Sequence, residues 1–194
     1  MNGLKEFWQK NYESILKPTI VLLVICIVIA FALSLTNKVT APKIAVLTEK
    51  QQQESMQQLM DADSFAEKAE KDIAYYEAVK SEQTVGYVFL NETKGYGGTV
   101  SVMTAIDPDG TVHAVKILDV TSETPGLGQN SAKENFYGQY AGKKDEITVV
   151  KFGANEQQVN AVTGATITSK AVTTAVNEAL KQFETVTGEV KGNE

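Results

Sequence analysis

The longest apolar stretch of the chain lies close to its amino terminus. Between Lys17 and Lys38 there are 20 residues without a charged side chain, and residues 20–33 form an unbroken apolar run. Because a helix rises about 1.5 Å per residue, this stretch spans roughly 30 Å, the thickness of the hydrocarbon core of a bilayer. The pattern predicts a transmembrane helix over residues 15–36.

A cleavable signal peptide is the alternative interpretation of this segment, because the Ala-Phe-Ala sequence at residues 30–32 resembles a cleavage site. A retained anchor is favoured, since Glu6 and Glu13 precede the run and the run is long for a signal peptide. A short segment ahead of a long polar chain then places residues 1–14 in the cytoplasm and the C-terminal part outside it, at the cell membrane. The slightly larger positive charge before the span favours the same orientation.

Polar residues follow the apolar span. Residues 36–48 contain a proline and predict a linker, and residues 47–71 lack glycine and carry a thin stripe of leucine and methionine, which predicts a solvated stalk helix. A helix packed on the domain is an equally good interpretation of the second segment. The predicted division is a linker and stalk at residues 37–72, a globular domain at 73–187 and a tail at 188–194.

The globular part has the two-residue period of strands from Ile73 onward. The predicted strands lie at residues 84–90, with both faces covered, and at 99–106, 111–120 and 147–152. The Asp-Pro-Asp-Gly sequence at residues 107–110 predicts a hairpin turn.

Helical periodicity returns near the end of the chain. Apolar residues at 171–183 follow one helical stripe, Thr166 and Thr168 offer N-cap hydroxyls, and Gly188 offers a stop signal. A shorter helix is expected at residues 132–140. The predicted fold class is α+β: one N-terminal transmembrane helix followed by an antiparallel sheet domain with packed helices.

Composition excludes several classes of function. Every basic residue is a lysine, and beyond Lys38 there are 14 lysines against 22 acidic residues, a net charge of −8 that repels nucleic acid. One histidine, His113, and one cysteine, Cys26, are too few for a Cys/His zinc site, an iron–sulfur cluster or a disulfide. His113 is interpreted as a sheet residue. We therefore predict no metal ligands and no catalytic residues, so demanding chemistry requires a bound cofactor.

The most informative segment leads into the last helix. It consists of small and hydroxyl-bearing residues followed by a lysine: Thr163, Gly164, Ala165, Thr166, Ile167, Thr168, Ser169 and Lys170. Small residues at a helix N-terminus let backbone N–H groups approach an anion, and the helix dipole, the hydroxyls and the lysine favour negative charge. This pattern indicates a phosphate site, although plain helix capping explains the same residues.

The segment also carries a family signature. Residues 163–168 match the Ser/Thr-Gly-Ala-Ser/Thr-x-Ser/Thr pattern of the FMN-binding domain family, which the chain resembles. Three further segments match in the same order: Gly95-Tyr96-Gly97-Gly98, Glu123-Thr124-Pro125-Gly126-Leu127-Gly128, and Phe136-x-x-Gln139-Tyr140. With its single N-terminal span, the chain is similar to the G subunits of the Rnf complex, the ion-translocating ferredoxin:NAD oxidoreductase. The C subunits of the sodium-pumping NADH:quinone reductase are the nearer alternative.

The resemblance implies that FMN is covalently joined to Thr168 through a phosphoester, with the other residues of 163–170 around the phosphate. It also implies that residues 123–128 lie near the isoalloxazine ring, with Gly97 and Gly98 as further neighbours. By themselves, residues 123–128 are typical of an ordinary rigid turn. Core packing is the simpler assignment for three tyrosines that could also neighbour the ring: Tyr96, Tyr137 and Tyr140.

The function implied by the resemblance is electron transfer between ferredoxin and NAD redox centres, coupled to Na⁺ or H⁺ transport by a membrane complex. The implied partners are the other membrane subunits and a flavin transferase that uses FAD and a divalent metal. Two alternatives stay open: an exported module that binds a ligand non-covalently, and an independent flavin reductase.

Overall fold

The computed structural model describes residues 16–188. Its helices and strands are, in chain order, α1 (Lys17–Leu59), β1 (Ser64–Glu70), β2 (Ile73–Lys80), β3 (Gln83–Lys94), β4 (Thr99–Ile106), β5 (Val112–Asp119), α2 (Glu134–Tyr137), β6 (Thr148–Val150), β7 (Gln158–Asn160) and α3 (Thr166–Thr187), with 3₁₀ helices at Gly128–Ala132 and Gly138–Tyr140. The chain divides into two compact units between Gln51 and Gln52. The predicted cytoplasmic residues 1–14 and the predicted tail beyond Gly188 lie outside the described residues.

Helix α1 contains the predicted apolar span and extends beyond it. The sequence indicates a linker at residues 36–48, but α1 continues through this segment, including Pro42, and ends at Leu59. Proline removes one backbone hydrogen bond, whereas cooperative helix formation on both sides favours continuation. Within residues 16–188, α1 is the one helix that is long and apolar enough to cross a membrane.

The five strands β1 to β5 form one antiparallel sheet in sequence order. The predicted turn between β4 and β5 is confirmed: Gly110 has φ of 85° and its N–H donates to the Asp107 carbonyl at 2.9 Å. His113 lies on β5, as predicted. The strand expected at residues 147–152 is shorter and pairs in parallel with β7, from Thr148–Gln158 to Val150–Asn160.

Apolar residues cover both faces of the sheet, as predicted for β3. Phe89 belongs to the cluster on the α3 side, which also includes Val172, Val176 and Phe183. The opposite face carries Val88, Met103 and Ala105 with residues from the end of α1 and just after it: Met56, Leu59 and Met60. Burying both faces supplies the main driving force for this α+β arrangement.

The helix expected at residues 47–71 ends early, and residues 64–70 form β1 instead. Strand β1 joins β2 through Lys71 and Asp72, whose φ angles are 50° and 65°. Ser81 and Glu82 make the next turn with φ of 51° and 64°. Two-residue hairpin turns of this kind usually contain Asn or Gly, so neither turn has a strong sequence signal. Pairing with β2 overrides the helix propensity of the polar β1 residues.

Helix α3 lies against β3 and β4. Asn91 Nδ2 donates to the Ala175 carbonyl at 3.1 Å, and Thr93 Oγ1 donates to the Ala171 carbonyl at 2.8 Å. The helix ends at Thr187, and the following Gly188 has the left-handed φ of 75° that favours glycine. These contacts fix the position of the N-terminal end of α3 relative to the sheet.

Candidate functional site

Three segments that are distant in the sequence meet around the carboxylate of Glu123. Thr168 Oγ1 donates to Glu123 Oε2 at 2.5 Å, and the Gly97 N–H donates to Glu123 Oε1 at 2.9 Å. Glu123 is 2% exposed and Thr168 is 1% exposed. A buried carboxylate requires hydrogen-bond donors, and here each of its oxygens has one.

The loop after β5 is shaped by local hydrogen bonds that direct Glu123 inward. Asp119 Oδ1 accepts hydrogen bonds from the N–H and the hydroxyl of Thr121, at 2.8 and 2.7 Å, which lower the pKa of Asp119. The Glu123 N–H then donates to the Val120 carbonyl at 3.0 Å. These turns explain how a solvent-exposed loop presents a buried side chain.

Glycines surround Glu123 because a larger residue would collide with it or with its loop. A Cβ on Gly97 would lie 2.0 Å from the Ser122 carbonyl oxygen, and one on Gly98 would lie 2.5 Å from Ser122 Cβ. A Cβ on Gly128 would lie 2.6 Å from Glu123 Oε2 and 2.9 Å from Thr168 Oγ1. In this structure, Gly97, Gly98 and Gly128 therefore permit close packing around Glu123 and its loop.

The start of α3 differs from the expected capping. Ala165 is the N-cap residue and makes no side-chain cap, so the prediction that Thr166 and Thr168 cap this helix is wrong. Ser169 closes the turn instead: its hydroxyl accepts from the Val162 N–H at 3.0 Å and donates to the Ala165 carbonyl at 2.9 Å. The Thr168 hydroxyl is thereby left to contact Glu123.

A pocket of about 490 Å³ opens beside this pair. It is lined by residues from three loops and the start of α3: Tyr96, Glu123, Thr124, Leu127, Gly128, Gly164, Ala165, Thr166, Ile167 and Thr168. Tyr96, Leu127 and Ile167 are exposed, although they are large and hydrophobic. A second pocket of about 320 Å³ shares Gly164 and Thr166 and contains the exposed Phe152.

The structure brings most of the predicted site residues together, but not all of them. Thr163 lines the 320 Å³ pocket and a third pocket of about 480 Å³, Pro125 and Lys170 are exposed outside the 490 Å³ pocket, and Ser169 is buried and does not line it. Gly126 lines a neighbouring pocket, with φ of 76° and open space around it.

The tyrosine assignments are partly wrong. Tyr140 is fully buried in the core, and Tyr137 packs against it, as expected. Tyr96 is 71% exposed and lines the 490 Å³ pocket, so its assignment to the core is wrong. The sequence signal for this exposure is the position of Tyr96 between Gly95 and Gly97, because a tightly packed glycine loop has no room for a large side chain on its inner side.

The residues of the pocket fit a flavin phosphate. Its volume lies in the range of small-molecule sites, roughly 300–1,000 Å³. Exposed Tyr96, Leu127 and Ile167 provide apolar surface for a ring system, and the Thr168 hydroxyl lies beside them at a helix N-terminus. The first N–H groups of a helix lack partners within the helix and favour an anion.

Comparison with known proteins agrees with this fit. Residues 95–181 match the model of the FMN-binding domain, and residues 1–59 match the model of the RnfG N-terminal region. The chain is 41% identical to the G subunit of the proton-translocating ferredoxin:NAD⁺ oxidoreductase complex of Clostridium ljungdahlii, with 93% of this chain and 97% of the relative covered. It is 34% identical to the G subunit of the Na⁺-translocating complex of Acetobacterium woodii, over 93% and 97%.

A solved structure supports the same fold. NqrC of Shewanella oneidensis superimposes with a TM-score of 0.54 at 20% identity, covering 64% of this chain and 70% of that one. The predicted α+β class and the predicted family are both confirmed. The chain carries an FMN-binding domain and belongs to the RnfG family, the G subunits of ion-translocating ferredoxin:NAD⁺ oxidoreductase complexes.

Proposed function

We propose that this chain is a membrane-anchored electron-transfer subunit of an ion-translocating ferredoxin:NAD⁺ oxidoreductase, with FMN joined to Thr168 through a phosphoester. The observation that carries the proposal is the position of the Thr168 hydroxyl. It lies on the pocket in the FMN-binding domain and is not used to cap its own helix. The names of the two relatives, 41% and 34% identical, support the wider role.

The residues of the pocket have different roles in holding FMN. Thr168 would provide the acceptor oxygen, and the N-terminal end of α3 would stabilise the single negative charge of the phosphodiester by roughly 0.3–1 kcal/mol. Exposed Tyr96, Leu127 and Ile167 would provide the apolar surface for the ring. When bound, FMN supplies electron transfer, for which the chain itself has no suitable side chain. The protein's role is to fix the ring in place and set its surroundings.

Helix α1 serves as the membrane anchor in this proposal. Its apolar residues 20–33 carry no charge, so ion passage belongs to partner subunits. The N-terminus lies in the cytoplasm and the FMN-binding domain lies on the other side. A phosphoester suits that location, because a covalently held flavin cannot diffuse away from a compartment that lacks its supply. The other membrane subunits deliver and accept the electrons.

A flavin transferase is the second kind of partner, because nothing in the described site would itself break an FAD pyrophosphate. The test is to produce the full-length chain with such a transferase and examine it after denaturation. Wild-type protein is expected to keep flavin fluorescence in a denaturing gel and to gain the mass of the FMN ester.

Thr168→Ala is expected to lose both signals completely. Thr166→Ala is the matched control, because it removes a hydroxyl two residues away on the same pocket and is expected to keep the label. Flavin that leaves the wild-type chain on denaturation would contradict the covalent link and favour non-covalent binding. Fluorescence that persists in Thr168→Ala would assign the linkage to another residue.

A further inference from the structure

Packing of α3 against the sheet does not require a charged partner for the Thr168 hydroxyl. Two other buried hydroxyls on this helix, those of Ser169 and Thr173, donate to backbone carbonyls four residues earlier. Thr168 instead donates to a carboxylate that is 45 residues away in the sequence. Burying a carboxylate is unfavourable, and a neutral side chain at position 123 would accept the same hydrogen bond at lower cost. The charge therefore points to a chemical role.

Resting on the proposed attachment of FMN to Thr168, we propose that Glu123 is a catalytic residue of that attachment. Its Oε2 takes the proton from Thr168 Oγ as this oxygen attacks phosphorus. The Gly97 N–H holds the other carboxylate oxygen at 2.9 Å, so Oε2 stays directed at the hydroxyl. The acceptor protein thus supplies its own general base, and the transferase supplies FAD and the divalent metal.

The atoms balance without a further reactant. The Thr168 Oγ–H bond breaks and its proton moves to Glu123 Oε2. A bond forms between Oγ and the phosphorus of the FMN half of FAD. The pyrophosphate bond of FAD breaks on the other side of that phosphorus, and AMP leaves with the bridging oxygen and the bonding electron pair. Glu123 then releases the proton to AMP or water, and no group is oxidised or reduced.

Glu123 is the base that is already in position. Its Oε2 lies 2.5 Å from Thr168 Oγ1, so a base from a second protein would first have to displace this carboxylate. Among the described residues that line the pocket, Tyr96 carries the only other titratable side chain, and it is largely exposed. Lys170, two residues along α3, is exposed and carries a positive charge, which cannot serve as a base. A general base typically accelerates such a step by about 10²–10⁴-fold.

The test measures the rate of flavin transfer to the purified full-length chain with transferase, FAD and Mg²⁺, followed by intact mass. Glu123→Gln keeps the size and a hydrogen-bond acceptor, and we expect it to be labelled more slowly by on the order of 100-fold or more. Glu92→Gln is the matched control. Glu92 also accepts a hydroxyl hydrogen bond, from Ser101 at 3.0 Å, but lies on the surface, and its variant is expected to be labelled at the wild-type rate.

The pH dependence of the labelling rate distinguishes a general base at position 123 from a residue that is needed only for the structure. At each pH the ratio of the two rates cancels the transferase's own ionisations. We expect Glu123→Gln to approach the wild type at high pH, where hydroxide replaces the missing base, and a constant ratio would overturn the proposal. Labelling of Glu123→Gln within about 3-fold of wild type, far below the effect of a general base, would also overturn it.

A second variant covers the case in which Glu123→Gln fails to fold. Glu123→Asp keeps the negative charge but shortens the side chain by one methylene, which moves the carboxylate away from Thr168. A folded Asp variant that is labelled at the wild-type rate would contradict the proposal. One that is labelled at least about 10-fold more slowly would support it. The proposed attachment fails separately, if the wild-type chain itself takes up no flavin.

Discussion

The buried face of α3 changes character along its length. Its first part buries three hydroxyl side chains, those of Thr168, Ser169 and Thr173, beside Ala171 and Val172, whereas its second part buries only apolar side chains, including Val176, Ala179, Leu180 and Phe183. The apolar part is held by contact area, which tolerates small shifts of the helix. The hydroxyl part is held by hydrogen bonds of fixed length and direction, so it positions single atoms. The apolar part of α3 thus gives a rigid support to the part that carries Thr168.

The apolar end is expected to carry the larger share of stability. Phe183 is buried and meets Tyr87 edge-to-face at 5.3 Å between ring centres. Phe183→Ala removes this contact and leaves a cavity, and we expect it to lower the free energy of unfolding by about 3–5 kcal/mol. Urea denaturation measures the loss, and the protein that stays folded is expected to be labelled at Thr168. A loss below about 1 kcal/mol would contradict the assignment of Phe183 to the core.

At the hydroxyl-bearing end of α3, small steric changes are expected to matter more than the loss of buried apolar area. Gly97→Ala would place a Cβ 2.0 Å from the Ser122 carbonyl oxygen, so the loop must move and take its N–H away from Glu123. We expect a loss of about 1–3 kcal/mol, together with slower flavin transfer. Gly138→Ala is the control, since its Cβ would meet Glu134 Cγ at an ordinary 3.8 Å. Equal labelling of both variants would show that the Gly97 contact is dispensable.

Ser169→Ala distinguishes a structural hydroxyl from the reactive one beside it. The change leaves the Val162 N–H without its acceptor, and we expect a loss of about 1–2 kcal/mol. Covalent flavin is expected to persist, because Thr168 keeps its contact with Glu123. Thermal unfolding and gel fluorescence measure the two effects. Complete loss of flavin from folded Ser169→Ala protein would mean that the two hydroxyls cannot be assigned separate roles.

The sequence predicts those parts of the fold whose signals are local. The apolar run of α1, the Asp107–Gly110 turn and the stripe of α3 each follow from spacing and residue type alone. Strand β1 lacks such a signal, because its identity comes from pairing with β2 across turns that lack glycine. The helix expected there has suitable residues, but tertiary pairing decides the outcome.

The candidate site shows the same division. Its residue types are visible in the sequence, and most of the residues that the resemblance groups together line one pocket in the structure. The hydrogen bond from Thr168 to Glu123 is not predictable, because it depends on how two loops and a helix meet. The close packing of Gly97 and Gly128 against Ser122 and Glu123 is not predictable from the sequence either. Spacing identifies which residues matter, and only the fold identifies their partners.

The smallest effect on stability is expected from the hydrogen bond between Tyr140 and Thr173, where the hydroxyl-bearing part of α3 gives way to the apolar part. Their oxygens lie 2.6 Å apart, and Thr173 already donates to the Ser169 carbonyl, so the tyrosine is the donor of this bond. Tyr140→Phe is expected to lower the free energy of unfolding by about 0.5–1.5 kcal/mol near neutral pH.

The same variant has a pH dependence of known sign. Burial raises the pKa of Tyr140, so the folded state keeps the phenol proton to higher pH than the unfolded state. The wild type keeps its full advantage below about pH 10 and loses up to about 1.4 kcal/mol per pH unit above it, where only the unfolded chain is deprotonated. Tyr140→Phe lacks this loss, so urea denaturation should show the difference shrinking and then reversing as the pH rises. A difference independent of pH would mean that Tyr140 ionises equally in both states, which its burial contradicts.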